Sequence, residues 1–355
     1  MTDMDESHNE IMQLRIAEFN KLLMNLDISQ MPIGLFDGLM GICIYFYYQG
    51  HYYREQKYYQ FADKLLDTIA NNLSEKMQID IQTGLLGICF GINHLIKNNF
   101  VKGNNRVLQM PEEKIYREIY LILDKTGNLS SEEMHTLLHG AFYFCAKLKE
   151  SKILLDDYFL CQNLIIDCIN KIEFIPDIKK HTEPFLFLPA MDFLPLYLTL
   201  LSNVYSLKIY DYKLKKICDN LNDTIMSKYP YSLSNRLFLA FAIKEINDYY
   251  NNSDWKRHAE VLFYNISINN VIDTSFRNKN ILPHNGLAGF YYILKKFGYL
   301  TDAYKNCLSC KLAQSELWED KLNKSIDNDS VSWGLVRGLS GVILAYQDCA
   351  NIAMK

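Results

Sequence analysis

The 355-residue sequence lacks a strong excess of charge of either sign and has no low-complexity stretch. It has 37 basic and 41 acidic side chains, so it has no basic excess that would attract a polyanion such as nucleic acid. Its first eight residues are polar and acidic, which is the opposite of a secretory signal. These absences argue against a nucleic-acid-binding protein and against a secreted one.

The sequence also lacks a convincing membrane span and an even set of cysteines. Its most apolar window, residues 185–201, is interrupted by Pro189, Asp192 and Pro195, and we expect no transmembrane helix. The nine cysteines are scattered through apolar segments, which is typical of free thiols in a reducing compartment rather than of a disulfide framework. We therefore expect a cytoplasmic protein.

A glycine pattern is present in place of these features, and it recurs along the chain. The clearest copies are Gly34–Tyr48, Thr83–Ile92, Asn285–Tyr292 and Arg337–Tyr346. With three weaker copies, an aligned marker stands at positions 38, 84, 140, 192, 235, 286 and 338. This period of about fifty residues predicts seven helical-hairpin repeats in one domain over residues 1–355, because each repeat needs its neighbours to bury its apolar face.

Each marker opens a run of about ten mostly apolar residues, which predicts a helix buried on all sides. The residue before the marker is a good N-cap type in four copies (Asp37, Thr83, Ser234 and Asn285), so we expect the marker to be a helix N-terminus. Amphipathic stretches between the markers predict covering helices at 11–26, 58–72, 211–226, 255–266 and 302–322. Inner and outer helices then form a ring, and the N-termini of the inner helices converge on one mouth.

The repeated Gly-Leu-x-x-Gly-Leu-x-Gly-Ile pattern resembles that of the lanthionine synthetase C-like family, the cyclase side of lanthipeptide biosynthesis. The resemblance covers nearly the whole chain and implies an α/α toroid of seven inner and seven outer helices. Family members add a cysteine thiol of a peptide to a dehydrated serine or threonine, and a zinc ion lowers the pKa of that thiol. The resemblance thus implies a peptide substrate or leader peptide as partner, and a dehydratase or another peptide-modifying enzyme beside it.

The residues with which the family binds zinc and activates the thiol do not match in this chain. When the glycine motifs are aligned, the family's zinc-binding cysteine in the fifth repeat corresponds to Leu233 of this chain. The family's adjacent Cys-His pair in the sixth repeat corresponds to His284 and Asn285. The family's arginine upstream of that cysteine falls on Tyr229. We therefore expect no metal site and no cofactor, although zinc held by His284 with His139 stays open as an alternative.

Several polar and aromatic residues lie near the predicted mouth. The sequence predicts a peptide- or ligand-binding site made of Phe36, Asp37, Asp192, Asn285, Trp333 and Arg337, with His284 and His139 as candidate catalytic residues. Asp192 interrupts an apolar stretch, where a carboxylate is costly unless it is paired. In the alternative interpretation, Asp192 and Arg337 form internal ion pairs that only close the ring.

Three functions are compatible with these residues. The first is a zinc-free, degenerate family member, a pseudoenzyme that binds a peptide or a partner enzyme at the mouth. The second is an active cyclase in which His284 and His139, or a rebuilt metal site, assist thiol addition. The third is a glycosidase or lyase that uses Asp37 and Asp192 as its carboxylate pair. Loss of the zinc ligands on a retained scaffold favours the first.

Overall fold

The computed structural model describes residues 3–102, 108–150, 155–173, 187–322 and 333–350. Secondary structure within these ranges is helical, with no β-strand. The chain groups into two compact units, one of Met1–Glu112 with Ser267–Lys355 and one of Glu113–Ile266. The expectation of a single domain stays a prediction. None of the helices in these ranges is long and apolar enough to cross a membrane.

Each unit is built from helices alone over its described residues. The first unit contains α1 (Asp3–Asn25), a short 3-10 helix (Ile28–Gln30), α2 (Leu39–Tyr53), α3 (Gln56–Asn72), α4 (Leu85–Lys97), α12 (Ile268–Thr274), α13 (Leu287–Lys296), α14 (Asp302–Ala313), α15 (Leu317–Leu322) and α16 (Leu339–Cys349). The second contains α6 (Ser131–Leu148), α7 (Leu155–Glu173), α8 (Phe193–Ser206), α9 (Asp211–Met226), α10 (Leu233–Tyr250) and α11 (Ser253–Phe263). Helix α5 (Gln109–Leu123) contains the boundary.

The predicted buried helices are α2, α4, α6, α8, α10, α13 and α16, and their apolar residues form most of the core. In the first unit, α13, α16, α2 and α4 pack side by side in that order, and in the second unit α6, α8 and α10 do so. Helices α2 and α16 share a reciprocal pair of amide hydrogen bonds between the buried Gln49 and Gln347, at 2.9 and 3.1 Å. These bonds offset the cost of burying two amides. The first and last repeats are therefore neighbours.

In four repeats the N-cap of the inner helix is a glycine, at Gly38, Gly84, Gly286 and Gly338, and it makes no side-chain cap. The residue before the glycine is therefore not the N-cap that its type suggested at Asp37, Thr83 and Asn285. A backbone carbonyl six residues before the glycine satisfies the first helical N–H instead. The carbonyl oxygens of Pro32, Gln78 and Asn280 accept these bonds at 2.8, 2.9 and 3.0 Å. Because a backbone carbonyl takes the place of a capping side chain, the side chain of the residue before the glycine is not needed as a cap.

The repeats that lack the glycine motif begin differently. Helix α6 begins after Ser130, whose side chain forms a capping box with Glu133, so Gly140 lies inside the helix and the marker predicted there is wrong as a helix start. Helix α8 begins after Asp192, where the marker predicted it. Helix α10 begins at Leu233, which places Ser234 within the helix and not at its cap.

The predicted amphipathic stretches are found as α1, α3, α9 and α11, each with one buried face. The stretch predicted over 302–322 is two helices, α14 and α15. The break between them is fixed by Ser315, whose hydroxyl donates to the carbonyl oxygen of Asn278 at 2.6 Å and accepts the N–H of Leu317 at 3.2 Å. A local side-chain bond of this kind competes with continued helix.

Candidate functional site

Four loops of the first unit, those before α4, α2, α16 and α13, are joined by backbone hydrogen bonds. The Phe36 N–H donates to the Gln82 carbonyl, the Val336 N–H to the Phe36 carbonyl, and the His284 N–H to the Val336 carbonyl, each at 3.0 Å. All four residues stand two positions before a cap glycine. The same position of four repeats thus forms one backbone ladder, which fixes the order and spacing of the loops.

The ladder requires two glycines at which the loops approach closely. A Cβ atom on Gly334 would lie 2.4 Å from the Phe36 carbonyl oxygen and 2.5 Å from Asp37 Cα. A Cβ atom on Gly34 would lie 2.5 Å from the Gln82 carbonyl oxygen. At these two glycines the neighbouring loops therefore approach each other backbone to backbone.

Arg337 spans two of the neighbouring loops. Its Nη1 donates to Asp37 Oδ2 at 3.2 Å, and its Nη2 donates to Gln82 Oε1 at 2.7 Å. The side chain of Asp37 is 12% exposed and that of Arg337 is 40% exposed. Arg337 therefore forms an internal ion pair, with Asp37 as its partner, while part of its guanidinium faces solvent.

Gln82 was not among the residues that the sequence singled out, and its loop is fixed locally. Asp80 Oδ1 accepts the backbone N–H groups of Gln82 and Thr83, both at 2.7 Å, and Asp80 Oδ2 accepts the Thr83 hydroxyl at 3.1 Å. This Asx-type turn holds Gln82 where it can accept from Arg337. The signal was present in the sequence, because Gln82 stands at the ladder position of its repeat.

His284 and Asn285 complete the cluster, and both are half-buried. Burial lowers the pKa of His284, and the positive charge of Arg337 lowers it further. The imidazole is therefore neutral at neutral pH. His284 Nδ1 and Asn285 Oδ1 are shielded from solvent and have no hydrogen-bond partner among the described residues. Such atoms are costly to bury unless a ligand or water completes their bonds.

The comparisons with known proteins agree with this geometry. Residues 29–103, which contain the first two glycine motifs, match the family model "Lanthionine synthetase C-like protein". The predicted family resemblance is confirmed. The fold matches the solved structure of nisin cyclase with a TM-score of 0.62, over 96% of this chain and 93% of that one, at 12% identity. The fold class of an α/α toroid is thereby confirmed. A sequence search among curated proteins gave no match.

Two residues predicted to line the mouth belong to the core of the first unit. Phe36 is 6% exposed and Trp333 is 4% exposed. The ring of Trp333 packs on Phe19 of α1 with the centroids 5.6 Å apart, and its carbonyl oxygen accepts the Ser340 hydroxyl at 2.5 Å. Their burial leaves little of either ring for a ligand to contact, and the ligand-binding role of these two residues stays a prediction.

Two predicted site residues belong to the second unit. His139 lies in the middle of α6 and is 7% exposed, with its ring 6.1 Å from that of His135. His135, which the sequence did not single out, places a ring nitrogen 3.1 Å from the Met191 carbonyl oxygen. Asp192 caps α8 without a side-chain bond to the helix. A joint role of His139 and His284 stays a prediction.

The guanidinium of Arg236 packs against the loop that precedes α10. Arg236 of α10 lies over the ring of Tyr229, with its Cζ 4.2 Å from the ring centroid. Its Nη1 donates to the Tyr229 hydroxyl and its Nε to the Pro230 carbonyl, both at 3.1 Å. Arg236 thus places a positive charge against this loop.

The side chains at the family's zinc-binding positions do not fit a three-ligand zinc site. His284 offers one imidazole and Asn285 one amide, whereas Leu233 offers no ligand. No three His, Cys, Asp or Glu side chains come together as metal ligands in the described ranges. Zinc in proteins is held by thiolate, imidazole and carboxylate groups. We therefore derive no step that passes through a metal ion.

Proposed function

We propose that this lanthionine synthetase C-like protein binds a peptide without zinc, through Arg337, His284 and Asn285. The observation that carries the proposal is the Arg337 network. Its guanidinium is held by Asp37 and Gln82 beside the two residues that replace the family's Cys-His pair. A guanidinium has five N–H donors, so two bonds leave others for a ligand.

The three side chains suit an extended peptide backbone, which offers N–H and C=O groups in alternation. The Oδ1 atom of Asn285 can accept a peptide N–H. The exposed N–H groups of Arg337 can donate to a carbonyl or carboxylate oxygen. His284, which is neutral, can donate or accept at Nδ1. A bound peptide would therefore supply the bonds that the two shielded atoms lack.

A binding experiment tests the proposal. The probe is a fluorescein-labelled peptide that carries one cysteine and one dehydroalanine, and binding is measured by fluorescence anisotropy. Asn285→Ala should weaken binding about tenfold, the equivalent of one lost hydrogen bond of about 1.4 kcal/mol. Asn306→Ala, at an exposed asparagine of α14 outside the cluster, is the matched control. Equal binding by these two variants would sink the proposal.

A second candidate function, a cyclase that works without zinc, is favoured by one observation. The lowered pKa of His284 leaves a neutral imidazole, and Nδ1 has no partner in the described ranges, so it can accept the proton of a peptide thiol. Ring formation consumes the peptide thiol. It would be measured by mass spectrometry as a fall in the number of thiols that iodoacetamide alkylates. Activity that survives a chelator and disappears in His284→Gln supports this candidate, and activity that needs added zinc excludes it.

The third candidate, a glycosidase or lyase, gains no supporting observation. Asp37 is held by Arg337, and Asp192 belongs to the other unit. Partner enzymes and a cytoplasmic location stay predictions from the sequence.

A further inference from the structure

The backbone ladder of the first unit has a direction. Phe36, Val336 and His284 each donate their N–H to the carbonyl oxygen of the preceding loop, and the carbonyl oxygens of Phe36 and Val336 each accept from the loop that follows. The two ends of the ladder are therefore different. One end presents the N–H of Gln82, which needs an acceptor, and the other presents the carbonyl oxygen of His284, which needs a donor.

The end at Gln82 is closed by a side chain of its own loop. Asp80 Oδ1 accepts the Gln82 N–H at 2.7 Å. The same carboxylate accepts the N–H and the hydroxyl of Thr83, at 2.7 and 3.1 Å. Hydrogen bonds to a charged acceptor are about twice as strong as those between neutral groups, so this end needs no ligand to complete it.

The other end, at His284, is open. Within the described ranges no N–H or O–H group donates to the His284 carbonyl oxygen. His284 Nδ1 and Asn285 Oδ1 lie at the same end of the ladder, are shielded from solvent and have no partner in those ranges. A carbonyl oxygen and an amide oxygen can only accept. A ligand that completes these bonds must therefore bring hydrogen-bond donors.

We propose that a bound peptide extends the ladder by one strand, with a main-chain N–H donating to the His284 carbonyl oxygen. The peptide runs beside the loop before α13, about 4.8 Å away, as neighbouring strands in a sheet do. Asn285 Oδ1 accepts a second N–H of the same peptide. A strand added to an open edge gains its affinity from main-chain hydrogen bonds. The inference rests on the proposed peptide-binding function and adds that the main chain, rather than one particular side chain, is recognised.

The first test removes one main-chain donor of the ligand at a time. The parent probe is the fluorescein-labelled peptide with one cysteine and one dehydroalanine, and in each analogue one N–H is replaced by N-methyl. One or two positions should lose binding about tenfold in the anisotropy assay, the equivalent of one hydrogen bond. An ester at the same position removes the N–H without adding bulk and should give the same loss. Equal binding by all the analogues would overturn the inference.

The second test locates the new bond at His284 by NMR. The sequence has two histidine–asparagine junctions, at residues 8–9 and 284–285. Full-length protein with ¹³C in its histidine carbonyls and ¹⁵N in its asparagines therefore gives two linked signals, and Asn285→Asp removes the one from His284. That signal should shift when the parent peptide saturates the protein, and it should stay in place with the ester analogue at saturation. The signal from residues 8–9 is the internal control.

The outcomes separate this inference from the function on which it rests. Peptide binding without a shift of the His284 carbonyl signal would overturn the added strand and leave the peptide-binding function standing. Absence of peptide binding would overturn both.

Discussion

Gly334→Ala tests whether the backbone ladder holds the loops of the first unit together. The added Cβ would lie 2.4 Å from the Phe36 carbonyl oxygen and 2.5 Å from Asp37 Cα. Both are backbone atoms, so the clash is relieved only if the two loops move apart. That movement breaks the 3.0 Å bond from the Val336 N–H to the Phe36 carbonyl.

The cost can be summed from these contacts. Overpacking a close contact costs about 1–3 kcal/mol. A buried backbone pair that loses its hydrogen bond costs about 1–3 kcal/mol more. The ion pair between Arg337 and Asp37 is partly exposed and adds at most about 1 kcal/mol. We expect Gly334→Ala to lower the free energy of unfolding by about 2–7 kcal/mol, and the upper part of this range is that of the most damaging single substitutions.

Urea denaturation followed by circular dichroism measures this loss. Gly127→Ala is the control, because Gly127 has a φ of 103° and no atom within 4 Å of an added Cβ. That substitution strains only the local backbone and should cost about 1–2 kcal/mol. If Gly334→Ala loses no more stability than Gly127→Ala, the close approach of the loops is not what the ladder depends on.

Three further predictions concern helix packing, thiols and pH. Gly140→Ala should raise the free energy of unfolding by about 0.5–1 kcal/mol in the same assay, because Gly140 lies inside α6 and only the terminal methyl of Ile119 must shift; a clear loss would contradict this. Maleimide should label the half-exposed Cys307 and Cys310 in the native protein, and the other seven cysteines, which are buried, only after unfolding, as peptide mass spectrometry would show. Burial lowers the pKa of His94 in the folded protein, so the unfolded chain binds a proton at a higher pH than the folded protein does. The free energy of unfolding should therefore fall as the pH drops below about 6.5. The urea midpoint should fall less in His94→Gln, and an equal fall would contradict the assignment.

The four glycine-motif repeats could be located from sequence because their glycines answer a steric demand of the backbone. Gly84 marks the start of α4 for that reason. Gly140 was wrongly predicted to mark a helix start. Only a flexible side chain lies near it, and no loop approaches it. The start of α6 has a different signal in the sequence, the Ser130-x-x-Glu133 capping box, which contains no glycine.

The candidate site could be predicted only in part. Asp37 and Arg337 were expected near the mouth, but their pairing joins residues 300 positions apart and depends on which repeats are neighbours. Phe36 was expected to meet a ligand as part of an apolar or aromatic mouth. In the structure its backbone belongs to the ladder and its ring to the core. Sequence proximity to a site residue does not give the direction in which a side chain points.

The ladder also has a meaning for evolution. Its bonds use only main-chain atoms, so the side chain that follows each rung is under no structural demand from it. Four copies of one loop accordingly carry four different groups there: Thr83, Asp37, Arg337 and Asn285. Single codon changes can therefore exchange one kind of reactivity for another while the architecture persists. Substitutions at these positions can therefore remove one activity and introduce another while every intermediate sequence still folds.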